Sequence, residues 1–434
     1  MSIAHEGIPG ADHRVLGRRL GLFTTDPRVG AGLPMWLPDG AIIRAELERF
    51  SAELGARTDC QRVYTPVLAK RALFEQSGHW AKFSDDMFPV MDVGGEEYVL
   101  RPTSCPQHAL LFASEGRSYR DLPIRYSEIV AQFRTELSGV LTGMSRVRQM
   151  NLDDCHVFCA EDQIRSEVLL VLRTIRAAYD VLGITVDDYR LSRRGEGQKH
   201  DSQKYLGEKE LWARSEHLLR EALCDFGVDF VEAEGEAAFY GPKIDIQVRG
   251  SGERSATLST VQLDFNQPDR FDLEYVAADG SRRRPVMIHR GLLSTMERMV
   301  AHLIEHYNGA FPPWIAPRQV VILPVADRHA DAAYRLRDRA RDAGLRASVD
   351  GAEATLGARM RAVRERRVPY AVVLGDREVE SGRIGVRLRD GSDAAGLDPV
   401  AALAEIGRVV SHRERELGFG AGADAQIPSG SLLG

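Results

Sequence analysis

Four arginines set among strands and turns are the first residues whose type and placement suggest chemistry. FRTE at 133–136 carries Arg134, the loop after it carries Arg146 and Arg148, and STMERM far downstream carries Arg298. Guanidiniums presented from different elements can clamp a triphosphate bidentately, and phosphoryl chemistry depends chiefly on such positioning and charge neutralisation. Taken singly each is weak evidence, because an arginine on a strand or helix is ordinarily solvated or salt-bridged. Neither a GxxxxGK followed by Ser or Thr, nor a GxGxxG opening a helix after a strand, is present. That argues against a P-loop or a Rossmann nucleotide site.

A second group invites a metal reading. NLDDCHVFCA at 151–160 brings Cys155, His156 and Cys159 close together in sequence. Successive side chains on a strand point to opposite faces, so His156 faces away from both cysteines. This local cluster cannot converge on one ion.

The elements that must hold these residues follow from periodicity. HRVLGRRLGLF reads as an amphipathic helix. AIIRAELERFSAEL reads as another, with Ile43, Leu47, Phe50 and Leu54 in one stripe behind Pro38-Asp39-Gly40. Between about 60 and 160, runs such as YVLRPT, PIRYSEIVAQF and CHVFCA alternate with turn residues, the pattern of an antiparallel, strand-rich region. Residues 161–183 return to helical spacing through Ile164, Val168, Val171 and Ile175. A strand-rich section from FYGPKIDIQVRG to STVQLDF precedes LLSTMERMVAHLIEHY, read as one helix. Three prolines in FPPWIAPRQ (311–319) mark a boundary. Beyond it, strands 319–325, 346–350, 370–375 and 383–389 and helices 329–343, 357–366 and 398–416 give a βαβαββα order and a partly parallel sheet. The Gly/Ala/Ser-rich end reads as disordered.

Bulk properties exclude some classes. With 434 residues, 44% hydrophobic and 28% charged, the chain has ordinary globular composition and length for two or three units. No apolar run reaches a membrane span and no secretory signal opens the sequence, so a cytoplasmic protein is expected. Five cysteines (Cys60, Cys105, Cys155, Cys159, Cys224) are too few and too scattered for a disulfide framework. Most read as small buried residues. A net charge of −6 makes any nucleic-acid contact a local matter.

From about His13 to Arg413 an ordered series of motifs resembles the catalytic and anticodon-binding portions of threonyl-tRNA synthetase. The series runs DHRVLGRRLGLF, GHW (78–80), RPTSCPQH (101–108), SYRDLPIRYSE (118–128), FRTE, DDCHVF, AFYGPKIDI (238–246), TVQLDF (260–265), VMIHRGLLSTMER (286–298) and RRVPY (366–370). The resemblance implies a tail at 1–12 and an α+β catalytic domain at 13–315, with the antiparallel sheet of class II synthetases flanked by helices. An α/β anticodon-binding domain with a mixed sheet at 316–414 and a disordered tail at 415–434 would follow. It also implies a homodimer through the first class II motif around Pro66, with FRTE as motif 2 and LLSTMER as motif 3.

By the same resemblance one zinc ion per subunit is held by Cys105, His156 and His289. One thiolate and two imidazoles suit zinc and leave a position for substrate. The amino and hydroxyl groups of threonine would bind there, with Asp154 accepting the hydroxyl proton, Tyr240 orienting the amino group and Arg134 also near the substrate. For ATP and its Mg2+, the resemblance assigns Arg134 to the α-phosphate, Glu136 to the adenine amino group, and Arg146 and Arg298 to the outer phosphates. Met150 and Gln262 complete that site. His79, which would assist the terminal ribose hydroxyl of tRNA(Thr), and Lys243 join Arg134 and Arg298 as catalytic residues.

The chain departs from the family at Met150, where a phenylalanine usually stacks on adenine, and at Leu152 and Thr257, usually glutamines. Ser294 replaces a glycine, Leu137 a proline and Ala362 a base-reading glutamate. A basic run, Arg359, Arg361, Arg364, Arg366 and Arg367, gives the second domain positive charge suited to phosphates. No editing module precedes residue 13, so the resemblance implies Ser-tRNA that the chain does not clear. The departures fit a second isozyme resistant to an inhibitor of a housekeeping enzyme. Two alternatives share these residues: an enzyme passing an activated β-hydroxy amino acid to a carrier protein or small molecule, and a non-catalytic tRNA-binding regulator.

Overall fold

The computed structural model describes residues 12–195, 205–250 and 255–419. The first domain is built on an eight-stranded sheet. In chain order its strands are β1 (Gln61–Arg62), β2 (Ile124–Phe133), β3 (Gln149–Cys159), β4 (Val186–Arg193), β5 (Phe230–Glu234), β6 (Lys243–Arg249), β7 (Ser255–Asp264) and β8 (Val286–Thr295). In space they run β5-β4-β6-β7-β8-β3-β2-β1. Every internal pair is antiparallel; only the two outermost pairs, β5 with β4 and β1 with β2, are parallel. Strand β8 is buried at all ten positions, as a central strand covered on both faces must be.

Helices occupy both faces. On one, α2 (Pro38–Arg57), α4 (Ile164–Leu182) and α6 (Met296–His306) pack on Cys155, Val157, Val261, Ile288 and Leu292. The predicted stripe of α2, Ile43, Leu47, Phe50 and Leu54, is wholly within that core, as are Ile164, Val168, Val171 and Ile175 of α4. Helix α1 (His13–Arg19) is shorter than its amphipathic pattern, because the chain turns into a two-residue strand at Phe23–Thr24. On the other face α3 (Cys105–Ala113) lays Cys105, Ala109 and Phe112 against Tyr126, Phe158 and Met287. Neither α3 nor α5 (Lys209–Phe226) is marked by the sequence pattern used above. Helix α3 is buried along most of its length and so lacks a polar face to alternate with.

LLSTMERMVAHLIEHY is not one helix. Residues 292–295 complete β8, and α6 begins at Met296. Two local causes make the break. Ser294 sits at φ +60 within a register shift between Gly291 and Thr295, and the Thr295 hydroxyl accepts the Arg298 N–H as the helix cap.

The second domain is a five-stranded mixed sheet: β9 (Val320–Pro324), β10 (Ala347–Val349), β11 (Tyr370–Leu374), β12 (Ile384–Leu388) and β13 (Asp393–Leu397), ordered β10-β9-β11-β12-β13. The strands β9, β10 and β11 are parallel, and β12 and β13 add antiparallel pairings. Strand β13 lies inside a Gly/Ala/Asp stretch without alternation. Its helices are α7 (Ala330–Asp342), α8 (Leu356–Glu365), α9 (Asp376–Ser381) and α10 (Pro399–Ser411). The expected disordered tail is corrected at its start. Leu417 is buried, and the Tyr370 hydroxyl donates to its carbonyl at 2.7 Å; residues beyond 419, like residues 1–11 of the expected tail at 1–12, lie outside the described residues. No described helix is long and apolar enough to cross a membrane.

Two substitutions should shift thermal stability in opposite directions. A Cβ on Gly40, in the first turn of α2, would meet the Leu22 carbonyl oxygen at 1.9 Å. Gly40→Ala should therefore destabilise by about 1–3 kcal/mol even though alanine favours helix. Ser294→Gly should stabilise by about 0.5–1 kcal/mol, because glycine occupies the left-handed region without steric cost. Melting temperatures of the two variants against the parent check both signs.

Candidate active site

The antiparallel register draws one row of residues straight across the sheet face that α3 covers. Lys243 of β6 opposes Gln262 of β7, Gln262 opposes His289 of β8, and His289 opposes His156 of β3. One pleat along, Asp245, Thr260, Gly291, Asp154 and Glu128 form a second row on the same face. Because side chains alternate, Cys155 and Arg290 lie on the opposite face.

Cys105, at the first position of α3, completes the histidine pair: ligand atoms of Cys105, His156 and His289 all lie within 4.8 Å of one another. Carboxylates orient both rings. His289 Nε2 is 2.9 Å from the buried Asp264 carboxylate, which makes Nε2–H the donor and leaves Nδ1 with its lone pair. His156 Nδ1 meets His108 Nδ1 at 2.8 Å, and His108 Nε2 lies 3.4 Å from Glu128. With His108 donating to Glu128, His156 donates from Nδ1 and keeps its lone pair on Nε2. The two free lone pairs then face each other across 3.0 Å. Such an arrangement calls for a cation between them, and burial supports this by holding His156 neutral, far below its ordinary range. Burial also keeps Cys105 a thiol, pushed well up. A divalent cation reverses that by stabilising the thiolate. A soft thiolate with two imidazoles fits zinc.

The remaining residues assigned to the amino acid gather here. Asp154 accepts from Ser104 Oγ at 2.5 Å and lies 3.9 Å from His156 Nε2; burial raises its carboxyl. Tyr240 stacks on the His289 ring, with centroids 4.7 Å apart, and donates to Gln262 Oε1 at 2.6 Å. Gln262 is thus engaged beside the tyrosine. Lys243 Nζ pairs with both oxygens of buried Asp245, at 2.8 and 3.0 Å. His79 is not a surface residue. Its Nδ1 meets Ser77 Oγ at 2.8 Å and its Nε2 meets Cys105 Sγ at 3.7 Å, and burial lowers it to about 3.

Arg134, Arg146 and Arg298 converge from motif 2 and from the first turn of α6. Arg146 Nε donates to Glu136 at 2.8 Å. Arg298 donates to the carbonyls of Ser145 and Thr257, at 3.1 and 3.4 Å, and Arg134 lies 5.3 Å over the Phe83 ring with its Nε unpartnered. The proton of Arg298 is weakened by burial first, and then by the charges of Arg134 and Arg146. Three guanidiniums around one carboxylate leave excess positive charge, the condition for holding a polyphosphate. Arg148 does not join them. It donates to the carbonyls of Thr135 and Glu136 and so pins the motif 2 loop. Met150 and Leu152 share the face of Asp154 and His156, by strand parity.

In the second domain Arg359 is not part of an exposed basic face. It is buried, donating to the carbonyls of Pro324, Asp350 and Ala354, while Arg361, Arg364, Arg366 and Arg367 are exposed. Sequence reasoning also passed over Ser104, His108, Glu128 and Asp264, which hold the ligands and Asp154 in place. Two signals were available: His108 follows Cys105 by three residues on one helix, and Glu128 shares strand parity with Tyr126 and Gln132.

Comparison with known proteins identifies both domains. Residues 88–307 match the family of the tRNA synthetase class II core domain (G, H, P, S and T), and residues 319–406 match the anticodon binding domain. A threonine–tRNA ligase of Listeria monocytogenes is 46% identical over 401 residues, covering 92% of this chain and 62% of that protein. One from Streptococcus gordonii is 49% identical over 378 residues, covering 87% and 58%. The chain thus spans about three fifths of the length of these curated relatives. Among solved structures, the RNA binding domain of threonyl-tRNA synthetase from Cryptosporidium parvum superposes with a TM-score of 0.86 at 34% identity, covering 92% of this chain and 98% of that one. A putative threonyl-tRNA synthetase of Aeropyrum pernix gives 0.80 at 28%, covering 94% and 98%. Carrying both the class II core and the anticodon-binding domain, the chain belongs to the threonyl-tRNA synthetase family.

Proposed function

We propose that this chain activates threonine with ATP and transfers it to tRNA(Thr). The observation that carries the reading is the convergence of Cys105, His156 and His289 beside Asp154 and Tyr240 on one sheet face, next to the arginine cluster. Zinc held by the three ligands would supply a Lewis acid for the amino and hydroxyl groups of the amino acid. Asp154, kept in place by Ser104, accepts the hydroxyl proton. The stacked Tyr240 orients the amino group, and Arg134, Arg146 and Arg298 hold the phosphates with Mg2+. Glu136, at φ +37 and bonded to Arg146, is released toward adenine when phosphate takes over the guanidinium. His79, buried against Cys105, faces the site where a terminal ribose would dock. Around Pro66, Tyr64 at 77% exposure and Leu68 at 46% form an apolar strip suited to a homodimer contact. Exposed Arg361, Arg364, Arg366 and Arg367 suit RNA phosphates.

ATP–pyrophosphate exchange across an amino-acid panel tests this reading. Threonine should support exchange. Valine should fail by about 10⁴-fold or more, because a site built for a hydroxyl is left with unpaired polar groups. Serine lacks only a methyl, worth about 10–200-fold, so serylated tRNA should appear beside threonylated tRNA. Arg298→Ala and His289→Ala should each remove exchange. Equal exchange with valine and threonine would sink the proposal, and exchange without tRNA charging would move it to a carrier acceptor.

The carboxylate behind His289 gives a second test. Asp264→Asn should weaken zinc affinity by about 10–100-fold while leaving the three ligands present. Competition against a chromophoric chelator reads this directly, and unchanged affinity would show that Asp264 does not orient the ligand.

A further inference from the structure

The sheet face opposite the ligands carries a second sulfur constellation. Cys155, beside His156 on β3, and Cys60, in the corner between α2 and β1, have their sulfurs 3.9 Å apart. Cys60 is half-buried and Cys155 fully buried. Arg290, the register partner of Cys155 and the neighbour of His289, donates from one guanidinium nitrogen to Cys60 Sγ at 3.8 Å. Its Nε and other terminal nitrogen are buried without partners. The Thr58 hydroxyl lies 3.4 Å from the same sulfur. The Arg290 guanidinium suits an anionic sulfur at Cys60, and Cys155 places a second thiol within contact distance of it.

We propose that Cys60 and Cys155 form a dithiol that hydroperoxides oxidise to an intramolecular disulfide, slowing the site on the other face of the sheet. Cys60 is the more accessible of the two sulfurs and the one that Arg290 faces, which marks it as the attacking sulfur; the neighbouring Cys155 thiol lowers Cys60 against the opposing effect of burial. The Cys60 thiolate attacks one oxygen of hydrogen peroxide, forming an S–O bond and breaking the O–O bond. Hydroxide leaves and takes up the proton lost from Cys60. The Cys155 sulfur then attacks the sulfenic sulfur, the S–S bond forms, and the sulfenic hydroxyl departs with the Cys155 proton as water. Two thiols lose two electrons and one peroxide becomes two waters.

Closing the bond brings the sulfurs to about 2 Å. Cys155 is locked in a central strand, so the corner must move. That corner follows Asp59 at φ +52 and leads directly into β1 and the strip around Pro66. Oxidation also removes the acceptor of Arg290. A buried guanidinium, which the Asp153 carboxylate also faces, then loses a hydrogen-bond acceptor. The effect on activation rests on the function proposed above; the disulfide itself does not.

The full-length protein, as purified, is exposed to graded hydrogen peroxide, its free thiols are alkylated, and its peptides are mapped. A Cys60–Cys155 linked peptide is expected before Cys105, Cys159 or Cys224 changes. Threonine-dependent exchange should fall several-fold in parallel and return with dithiothreitol. Cys60→Ser, or Cys155→Ala should the first variant fold poorly, should abolish both the link and the fall at that dose. Cys60 and Cys155 that stay alkylatable, or that oxidise separately without linking, overturn the proposal. A link with unchanged exchange, or a fall that persists in both variants, overturns the coupling to the site. If untreated protein shows no exchange, the functional reading fails while the peptide map still decides the dithiol.

Discussion

The antiparallel register between β3 and β8 is the constraint on which the rest depends. It sets His156 opposite His289 and, by the pleat, Cys155 opposite Arg290 on the reverse face. A slip of one residue would exchange the faces, placing the histidines in the apolar core and the thiol and guanidinium on the face that α3 covers. The slip is prevented because Val157, Ile288 and Leu292 must pack beneath α4 and α6. The core therefore holds the chemistry in place without touching it.

Around this pair a hub of buried polar contacts joins elements far apart in sequence. Glu128 accepts from the Thr65 hydroxyl at 2.7 Å, lies 3.4 Å from Arg101 and faces His108, which in turn touches His156. One carboxylate thus connects the segment beside Pro66 with the imidazole pair. Arg101 is almost fully buried, and its other donors reach Ala131 O and Thr65, so its charge is both neutralised and hydrogen-bonded. A continuous chain of hydrogen bonds therefore joins the residue before Pro66 to His156.

Much of this was legible in the sequence where periodicity had physical grip. The α2 and α4 stripes follow from apolar spacing, the break at 311–319 from its prolines, and the second sheet's parallel core from the alternation of strands and helices. Strand alternation alone separated His156 from Cys155 and Cys159, and the structure places them on opposite faces as expected. It could not supply Cys105 or His289, because convergence from three distant elements is a property of tertiary pairing; the family resemblance supplied those. What stayed illegible was local chemistry that overrides pattern. LLSTMER looks helical by spacing, yet its first four residues complete β8, with the left-handed Ser294 and the Thr295 cap marking where the helix begins. Arg359 belongs to a basic run by composition but to a carbonyl cage by geometry.

The positions that depart from the family pattern divide unevenly between the two halves of the site, and the division has a structural reason. Cys105, Asp154, His156, Tyr240 and His289 stand on paired strands, a helix start and a stacked ring, where each side chain is fixed by at least one buried neighbour. A change there would strand a buried polar partner at a cost of about 1–3 kcal/mol. Leu137 instead lies in the motif 2 loop at 81% exposure, and Ser294 lies in the bulge where β8 leaves its partner's register. Met150 and Leu152 occupy the outer end of β3 near that loop. Loop and bulge positions are held by backbone contacts, such as Arg148 on Thr135 and Glu136, and these survive side-chain replacement. The half proposed for the amino acid is thus constrained by register and buried hydrogen bonds, whereas the half proposed for the nucleotide can change its apolar surface while its arginines keep their positions.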